Sequence, residues 1–182
     1  LLQYAYDGKT GKVSPLEPKD AKPPLGTGPR HMAYHPTLPM VYFSNEQGIG
    51  LSTYRREASG QLKVEQDISI LPPGMSKIGL SASDLLITPD GKFLFAGLRG
   101  HRQDFDRISH YRVLENGKAE FIGLTKADKI PWGLTLSPDG KFLLVSATTG
   151  ASLTAYRISP NGDLKKVASL AWDSGMSDLV TR

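Results

Sequence analysis

Three stretches of the chain share one pattern of apolar and polar positions. They are HMAYHPTLPMVYFSN (31–45), DLLITPDGKFLFAGL (84–98) and GLTLSPDGKFLLVSA (133–147). In each stretch a short apolar run, a turn that contains proline and a second apolar run follow one another, which predicts a β-hairpin. In two of the turns, Pro89 and Pro138 fix φ at about −65°, and Gly91 and Gly140 are free to adopt a positive φ.

Each hairpin is followed by two further segments that resemble strands. An alternating segment comes first: LSTYRRE (51–57), RISHYRVL (107–114) or SLTAYRIS (152–159). A turn that contains glycine and a fourth apolar run follow. The aligned residues Pro36, Pro89 and Pro138 are 53 and 49 residues apart. A period of about 50 residues with four strands per repeat is typical of a β-propeller, so we predict an all-β fold of four-stranded antiparallel blades.

The two ends of the chain match only parts of this repeat. Residues 1–24 match the end of a blade, residues 25–72, 73–126 and 127–173 each form a complete blade, and residues 174–182 match the first strand of a closing blade. The chain is therefore predicted to be a single partial propeller. About three and a half blades cannot close a ring, and a closed propeller has about four blades or more. We expect the remaining half of the propeller in the same polypeptide, in a cleaved fragment or in another chain.

Composition excludes several classes of protein. The chain has 182 residues with 39% hydrophobic residues, which is typical of a folded protein rather than a disordered one. Its net charge of +4 is spread over many short segments, so no nucleic-acid partner is predicted. No apolar run approaches the roughly 20 residues of a membrane helix, so no membrane partner is expected. Because an export signal would lie in the missing half, the sequence is compatible with the cytoplasm or the periplasm.

Strand direction predicts where a functional site would form. The start of the first strand and the end of the second strand of a blade lie at the same edge, because the two strands are antiparallel. Polar or aromatic residues at these positions map to one rim of the central channel: Arg30, Glu46, Asp84, Arg99 and Trp132. Guanidinium groups bind carboxylate or phosphate, a carboxylate can transfer a proton, and an aromatic ring provides a wall for a ligand.

Four of these five residues also have a structural interpretation. Arg30 and Glu46 would form an ion pair within one blade, Asp84 would accept hydrogen bonds from backbone N–H groups in a turn, and Trp132 would only fill space. Neighbouring residues in a regular strand point to opposite faces. If Arg30 faces the channel, we therefore expect His31 to pack between blades.

The sequence contains no motif for a metal or a cofactor. Because the chain has no cysteine, thiolate nucleophiles and cysteine-ligated metals are excluded. No pair of histidines stands at ligand spacing with a carboxylate, and the GxxxxGK[ST], GxGxxG and GxSxG patterns are absent. No cofactor and no metal are predicted.

Three segments carry a resemblance to a known family. GTGPRHMAYHPTLPMVYFSNE (26–46), ASDLLITPDGKFLFAGLR (82–99) and PWGLTLSPDGKFLLVSA (131–147) resemble the seven-bladed propeller lactonases. That family includes bacterial 6-phosphogluconolactonase and the fungal 3-carboxy-cis,cis-muconate lactonizing enzyme. The resemblance covers essentially the whole chain and places it in the C-terminal half of the family pattern. It implies catalytic roles for Arg30, Glu46 and Arg99, with a catalytic histidine in the other half.

One position departs from the family pattern. Many relatives have Pro-Arg-Gly where this chain has Pro131-Trp132-Gly133, so one candidate contact for an anion is absent. The resemblance implies a metal-independent lactone hydrolase for a sugar-acid or other anionic lactone. We also predict that His31, Asp84 and Trp132 contact the substrate. A muconate-type lactonizing cycloisomerase and a non-catalytic binding propeller are the alternatives.

The half-propeller interpretation predicts the mass of the purified protein. We expect material expressed from the complete coding sequence to have an intact mass nearer twice the 19.8 kDa of these residues, or to contain a second fragment. Mass spectrometry of the intact protein tests this. A single folded species of 19.8 kDa would contradict it.

Overall fold

The computed structural model describes residues 1–181, which contain fourteen strands and no helix. The strands are β1 (Leu2–Tyr6), β2 (Val13–Asp20), β3 (Pro29–Tyr34), β4 (Met40–Asn45), β5 (Gly50–Arg56), β6 (Leu62–Ser69), β7 (Leu80–Ile87), β8 (Phe93–Gly100), β9 (Arg107–Val113), β10 (Ala119–Lys126), β11 (Pro131–Leu136), β12 (Phe142–Ala147), β13 (Ser152–Ile158) and β14 (Leu164–Ala171). Within this range no helix is long and apolar enough to cross a membrane.

The strands form three complete four-stranded sheets and one two-stranded sheet. The complete sheets have the orders β3-β4-β5-β6, β7-β8-β9-β10 and β11-β12-β13-β14, and every neighbouring pair is antiparallel. The first strands of neighbouring sheets contact each other: β7 contacts both β3 and β11. Four-stranded meanders that meet through their first strands are the arrangement of blades around a propeller axis.

The hydrophobic core lies between the sheets rather than inside any one of them. Every residue of β4 and all but the last residue of β8 are buried. Because side chains alternate along a strand, Leu94, Ala96 and Leu98 pack toward the β3–β6 sheet, whereas Phe93 and Phe95 pack toward the β11–β14 sheet. Each inner blade therefore uses both of its faces, and the outer strand β14 is mostly exposed.

The hairpin turns have the predicted backbone. Gly91 has a φ of 74° and Gly140 a φ of 67°, as expected at the ends of Pro-Asp-Gly turns. A second requirement acts on Gly91, because a Cβ atom there would lie 2.6 Å from Nε2 of His35 in the preceding blade. This turn therefore needs glycine both for its conformation and for the close approach of a neighbouring blade.

The two ends of the described chain lie outside the three complete blades. β1 and β2 form the two-stranded sheet at one end. At the other end, residues 174–181 form no strand, although Thr181 Oγ1 donates a hydrogen bond to the carbonyl of Leu136 in β11. A first strand needs the second strand of its own blade for a ladder. The assignment of residues 174–182 to a closing blade stays a prediction, and residue 182 lies outside the described residues.

One titratable side chain is buried between two complete blades. His110 of β9 is 2% exposed, and neither ring nitrogen has a hydrogen-bond partner within the described range. Its ring contacts Phe95 edge-on, with 5.7 Å between the ring centroids. Burial lowers the pKa of His110 to about 4, and Asp163 opposes this only in part. The blade junction therefore accepts this histidine in its neutral form.

We expect this burial to make the fold sensitive to acid. The unfolded chain binds a proton at His110 below its ordinary pKa of 6.5, whereas the folded protein binds it only near pH 4. The free energy of unfolding should therefore fall by about 3 kcal/mol from this group as the pH is lowered through that interval. His110→Phe, which has no ring nitrogen, should remove this component in urea unfolding at several pH values. The exposed-site control His101→Gln should retain it, and an identical pH slope in all three proteins would contradict the prediction.

Candidate active site

The first strand of every complete blade contains a β-bulge at the same place. Two residues of the first strand lie opposite one residue of the second strand in all three blades: Arg30 and His31 opposite Ser44, Ser83 and Asp84 opposite Gly97, and Trp132 and Gly133 opposite Ser146. A bulge bends the strand locally and changes the direction of the side chains that it carries. Four of the six residues predicted for the site lie in these bulges.

The bulge changes the expectation for His31. Strict alternation between Arg30 and His31 requires a regular strand, and the extra residue removes that regularity. Arg30 interacts with Glu46 after its own second strand, while His31 reaches Asp84 in the next blade. His31 therefore contacts a neighbouring blade, as expected, but 42% of its side chain remains exposed.

Buried serine hydroxyls fix the bulges and connect the blades. Ser44 Oγ accepts the N–H of His31 at 3.2 Å and donates to the carbonyl of Ser83 at 2.9 Å. Ser83 Oγ in turn donates to the carbonyl of Pro131 at 2.7 Å. Each hydroxyl satisfies a backbone group that the irregular ladder leaves unpaired, so the three first strands are held in one relative position.

Glu46 is shared by two arginines from different blades. Arg99 Nη2 at the end of β8 donates to Glu46 Oε1 at 2.6 Å and to the carbonyl of Ala82 at 2.9 Å. Arg30 Nε lies 3.5 Å from the same Glu46 oxygen. The interpretation as an ion pair within one blade is therefore incomplete, because the shorter contact of Glu46 crosses to the next blade.

The three charged groups differ in their access to solvent. The side chain of Arg99 is 4% exposed, that of Arg30 22% and that of Glu46 39%. Burial lowers the pKa of Arg99, the nearby charge of Arg30 lowers it further, and Glu46 acts in the opposite direction. An arginine remains charged after such shifts, so Arg99 brings a cation into the blade junction that Glu46 must compensate.

Trp132 lies against both arginines. The centre of its ring is 4.4 Å from Cζ of Arg99 and 5.4 Å from Cζ of Arg30. Cation–π contacts within about 6 Å are favourable, and Arg is the usual cation. Trp132 belongs to the third complete blade, so three successive blades contribute to one cluster, and this side chain does more than fill space.

His31 and Asp84 form a second pair beside this cluster. His31 Nδ1 lies 2.8 Å from Asp84 Oδ1. The same carboxylate accepts the N–H groups of Leu85 at 2.8 Å and of Leu134 in the next blade at 2.9 Å. Asp84 therefore accepts backbone hydrogen bonds, but they come from two first strands rather than from a turn.

Some parts of the site were not predicted from the sequence. These parts are the bulges, the serine contacts and the Ala82 carbonyl. In the sequence they show only as small or polar residues, which do not by themselves indicate a site. In the charged loop after β8, His101 pairs with Ser81, and at its end Arg107 donates to the carbonyl of Asp106. Within residues 1–181 no group of three or more His, Asp or Glu side chains could hold a metal ion.

The sheets and the cluster at their junction define a propeller with a charged site where its blades meet. The chain matches the family described as "Lactonase, 7-bladed beta-propeller" over residues 1–176, and it belongs to that family. The family resemblance of the sequence and the predicted propeller of about three and a half blades are both confirmed.

A curated relative agrees with this assignment, and two solved structures share the fold. The chain is 32% identical over 174 residues to a 6-phosphogluconolactonase of Pectobacterium carotovorum, a match that covers 93% of this chain and 51% of the relative. The periplasmic gluconolactonase of Pseudomonas aeruginosa superposes with a TM-score of 0.82 at 23% identity, over 94% of this chain and 48% of that one. A putative 6-phosphogluconolactonase of Bacteroides fragilis gives a TM-score of 0.81 at 22% identity, over 94% and 49%. The chain thus spans about half the length of these proteins.

The pairing of Glu46 with buried Arg99 predicts a measurable coupling. Glu46→Gln leaves the Arg99 cation without its carboxylate, whereas Glu46→Gln combined with Arg99→Met removes both charges. A double-mutant cycle on the free energy of unfolding should give a coupling of about 1–3 kcal/mol.

The exposed pair Arg112–Glu120, at 2.9 Å in the outer half of a blade, is the matched control. The same cycle there should give less than about 1 kcal/mol, because solvent screens that pair. Equal coupling energies for the two pairs would contradict the prediction, because burial at the blade junction would then add nothing to the coupling energy.

Proposed function

We propose that this chain is part of a lactone hydrolase that acts on an anionic lactone, with a phosphorylated or other acidic sugar lactone as the substrate class, and that needs no metal. The observation that carries the proposal is the convergence of Arg30 and Arg99 on Glu46 beneath Trp132, at the junction of three blades. Membership of the lactonase family and relatives named 6-phosphogluconolactonase support it.

The two arginines supply the positive charge for substrate and transition state. Arg30 is the more exposed of the two and is the candidate for direct contact with the carboxylate or phosphate. Arg30 Nη1 and Arg99 Nε are buried and have no hydrogen-bond partner within the described residues, so a substrate would contact the other, accessible guanidinium N–H groups. Fixed cationic donors of this kind stabilise the negative oxygen that develops when a lactone carbonyl is attacked.

The remaining residues orient the substrate and the water. Glu46 acts as a general base or orients the attacking water, since one carboxylate oxygen is held by the arginines. Trp132 forms a wall for the lactone ring, and His31 and Asp84 border the same site. Because the arginines can stabilise the oxyanion, hydrolysis by these groups does not require a metal ion.

We expect hydrolysis of 6-phosphogluconolactone to exceed that of uncharged gluconolactone, and to persist with EDTA. Arg30→Ala should lower kcat/KM for the phosphorylated lactone by about 100-fold or more and reduce the preference between the two substrates, because it removes a cationic contact. Glu46→Gln should lower turnover of both lactones. The assay is acid release by the protein expressed from its complete coding sequence, with circular dichroism to verify folding.

Arg112→Ala is the matched control, since it removes an exposed arginine on the outer part of a blade and should leave turnover unchanged. Unchanged turnover in Arg30→Ala and Glu46→Gln would contradict the catalytic assignment. Absence of turnover for every lactone tested with the wild-type protein would favour a binding propeller, and closure of a muconate-type acid would favour the cycloisomerase.

A further inference from the structure

We propose that His31, oriented by Asp84, is the general base of the lactone hydrolysis, and that Glu46 holds the two arginines. This inference rests on the proposed function and refines its assignment of the proton acceptor. It arises from the contacts between the first strands β3, β7 and β11, where the bulges bring a histidine of one blade against a carboxylate of the next.

The hydrogen bonds of Asp84 determine which nitrogen of His31 carries the proton. Asp84 Oδ1 accepts the N–H of Leu85, and Oδ2 accepts the N–H of Leu134. A carboxylate in this position acts as an acceptor, so His31 Nδ1, at 2.8 Å, must be the donor. The lone pair of the neutral ring then lies on Nε2, which is the atom that can take a proton.

The His31 side chain is partly open to solvent, on the strand that also carries Arg30. The His31 side chain is 42% exposed, and Nε2 has no hydrogen-bond partner among residues 1–181. His31 directly follows Arg30, and the Leu134 N–H bound by Asp84 lies two residues after Trp132. The pair is therefore tied to the same three strands that build the arginine cluster.

Glu46 is less suited to act as the general base, because its negative charge already pairs with the two arginines. Its Oε1 accepts a 2.6 Å hydrogen bond from Arg99 and lies 3.5 Å from Arg30. Protonation of Glu46 would remove the negative charge that compensates the buried Arg99 cation. His31 can accept a proton without disturbing that pair, and Asp84 then faces the imidazolium that forms.

The step is a simple hydrolysis. His31 Nε2 removes a proton from water as the water oxygen forms a bond to the lactone carbonyl carbon. The bond between that carbon and the ring oxygen then breaks, and the proton on Nε2 passes to the departing ring oxygen. The product is the open hydroxy acid, and His31 returns to its neutral form.

The test compares His31→Gln, Asp84→Asn, the double variant and wild type with the lactone on which wild type is most active. Loss of a general base should lower kcat by about 100-fold or more in His31→Gln with little change in KM. Asp84→Asn should lower kcat by a smaller factor. If Asp84 acts through His31, the double variant should be no slower than His31→Gln. His101→Gln, an exposed histidine, is the control and should match wild type.

A structural role is separated by rescue. Free imidazole should restore part of the activity of His31→Ala and should have no effect on Glu46→Gln, because only the first variant lacks the base. Retention of wild-type kcat in His31→Gln, an effect on KM alone, or failure of imidazole to rescue His31→Ala would overturn the assignment while the lactonase activity stands. Inactivity of the wild-type protein would instead overturn the proposed function and, with it, this role of His31.

Discussion

The structure depends on the fact that each blade has two apolar faces and must cover both. A β-sheet that carries large apolar side chains on both faces is not stable alone in water. Burial of apolar area supplies most of the favourable free energy of folding, so both faces need a covering layer. β8 meets this need by packing alternate residues against the sheet on either side. The blades consequently follow one another in an arc, and every junction between them is a region where polar groups must be paired.

The candidate site lies at one such junction, where the charged groups remain partly exposed to solvent. Arg99 is nearly buried, and its compensation comes from Glu46 of the preceding blade and from the ring of Trp132 in the following one. The interactions that connect the blades are therefore the interactions that arrange the site. A substitution among these residues acts on the packing of blades and on the geometry of the charged groups together, which is why stability and turnover have to be measured on the same variants.

Much of the fold follows from local signals in the sequence. The Pro-Asp-Gly turns carry their own conformational preferences, and Gly91 and Gly140 have the positive φ that these turns predict. Strand direction alone was enough to group Arg30, Glu46, Arg99 and Trp132, and the structure brings these four together. The bulges were not predictable from the sequence. A bulge depends on how the first strand pairs with the second, and a local sequence pattern does not give that pairing.

The repeated bulge brings different side chains to one equivalent position in each complete blade. Each complete blade offers the same two consecutive positions at its inner edge, and they hold Arg-His, Ser-Asp and Trp-Gly in turn. The backbone irregularity is the same whichever pair occupies it. The bulge positions of successive blades are therefore structurally equivalent. The side chains at these positions contact neighbouring blades, so the pair that occupies one bulge determines which contacts the neighbouring blade receives.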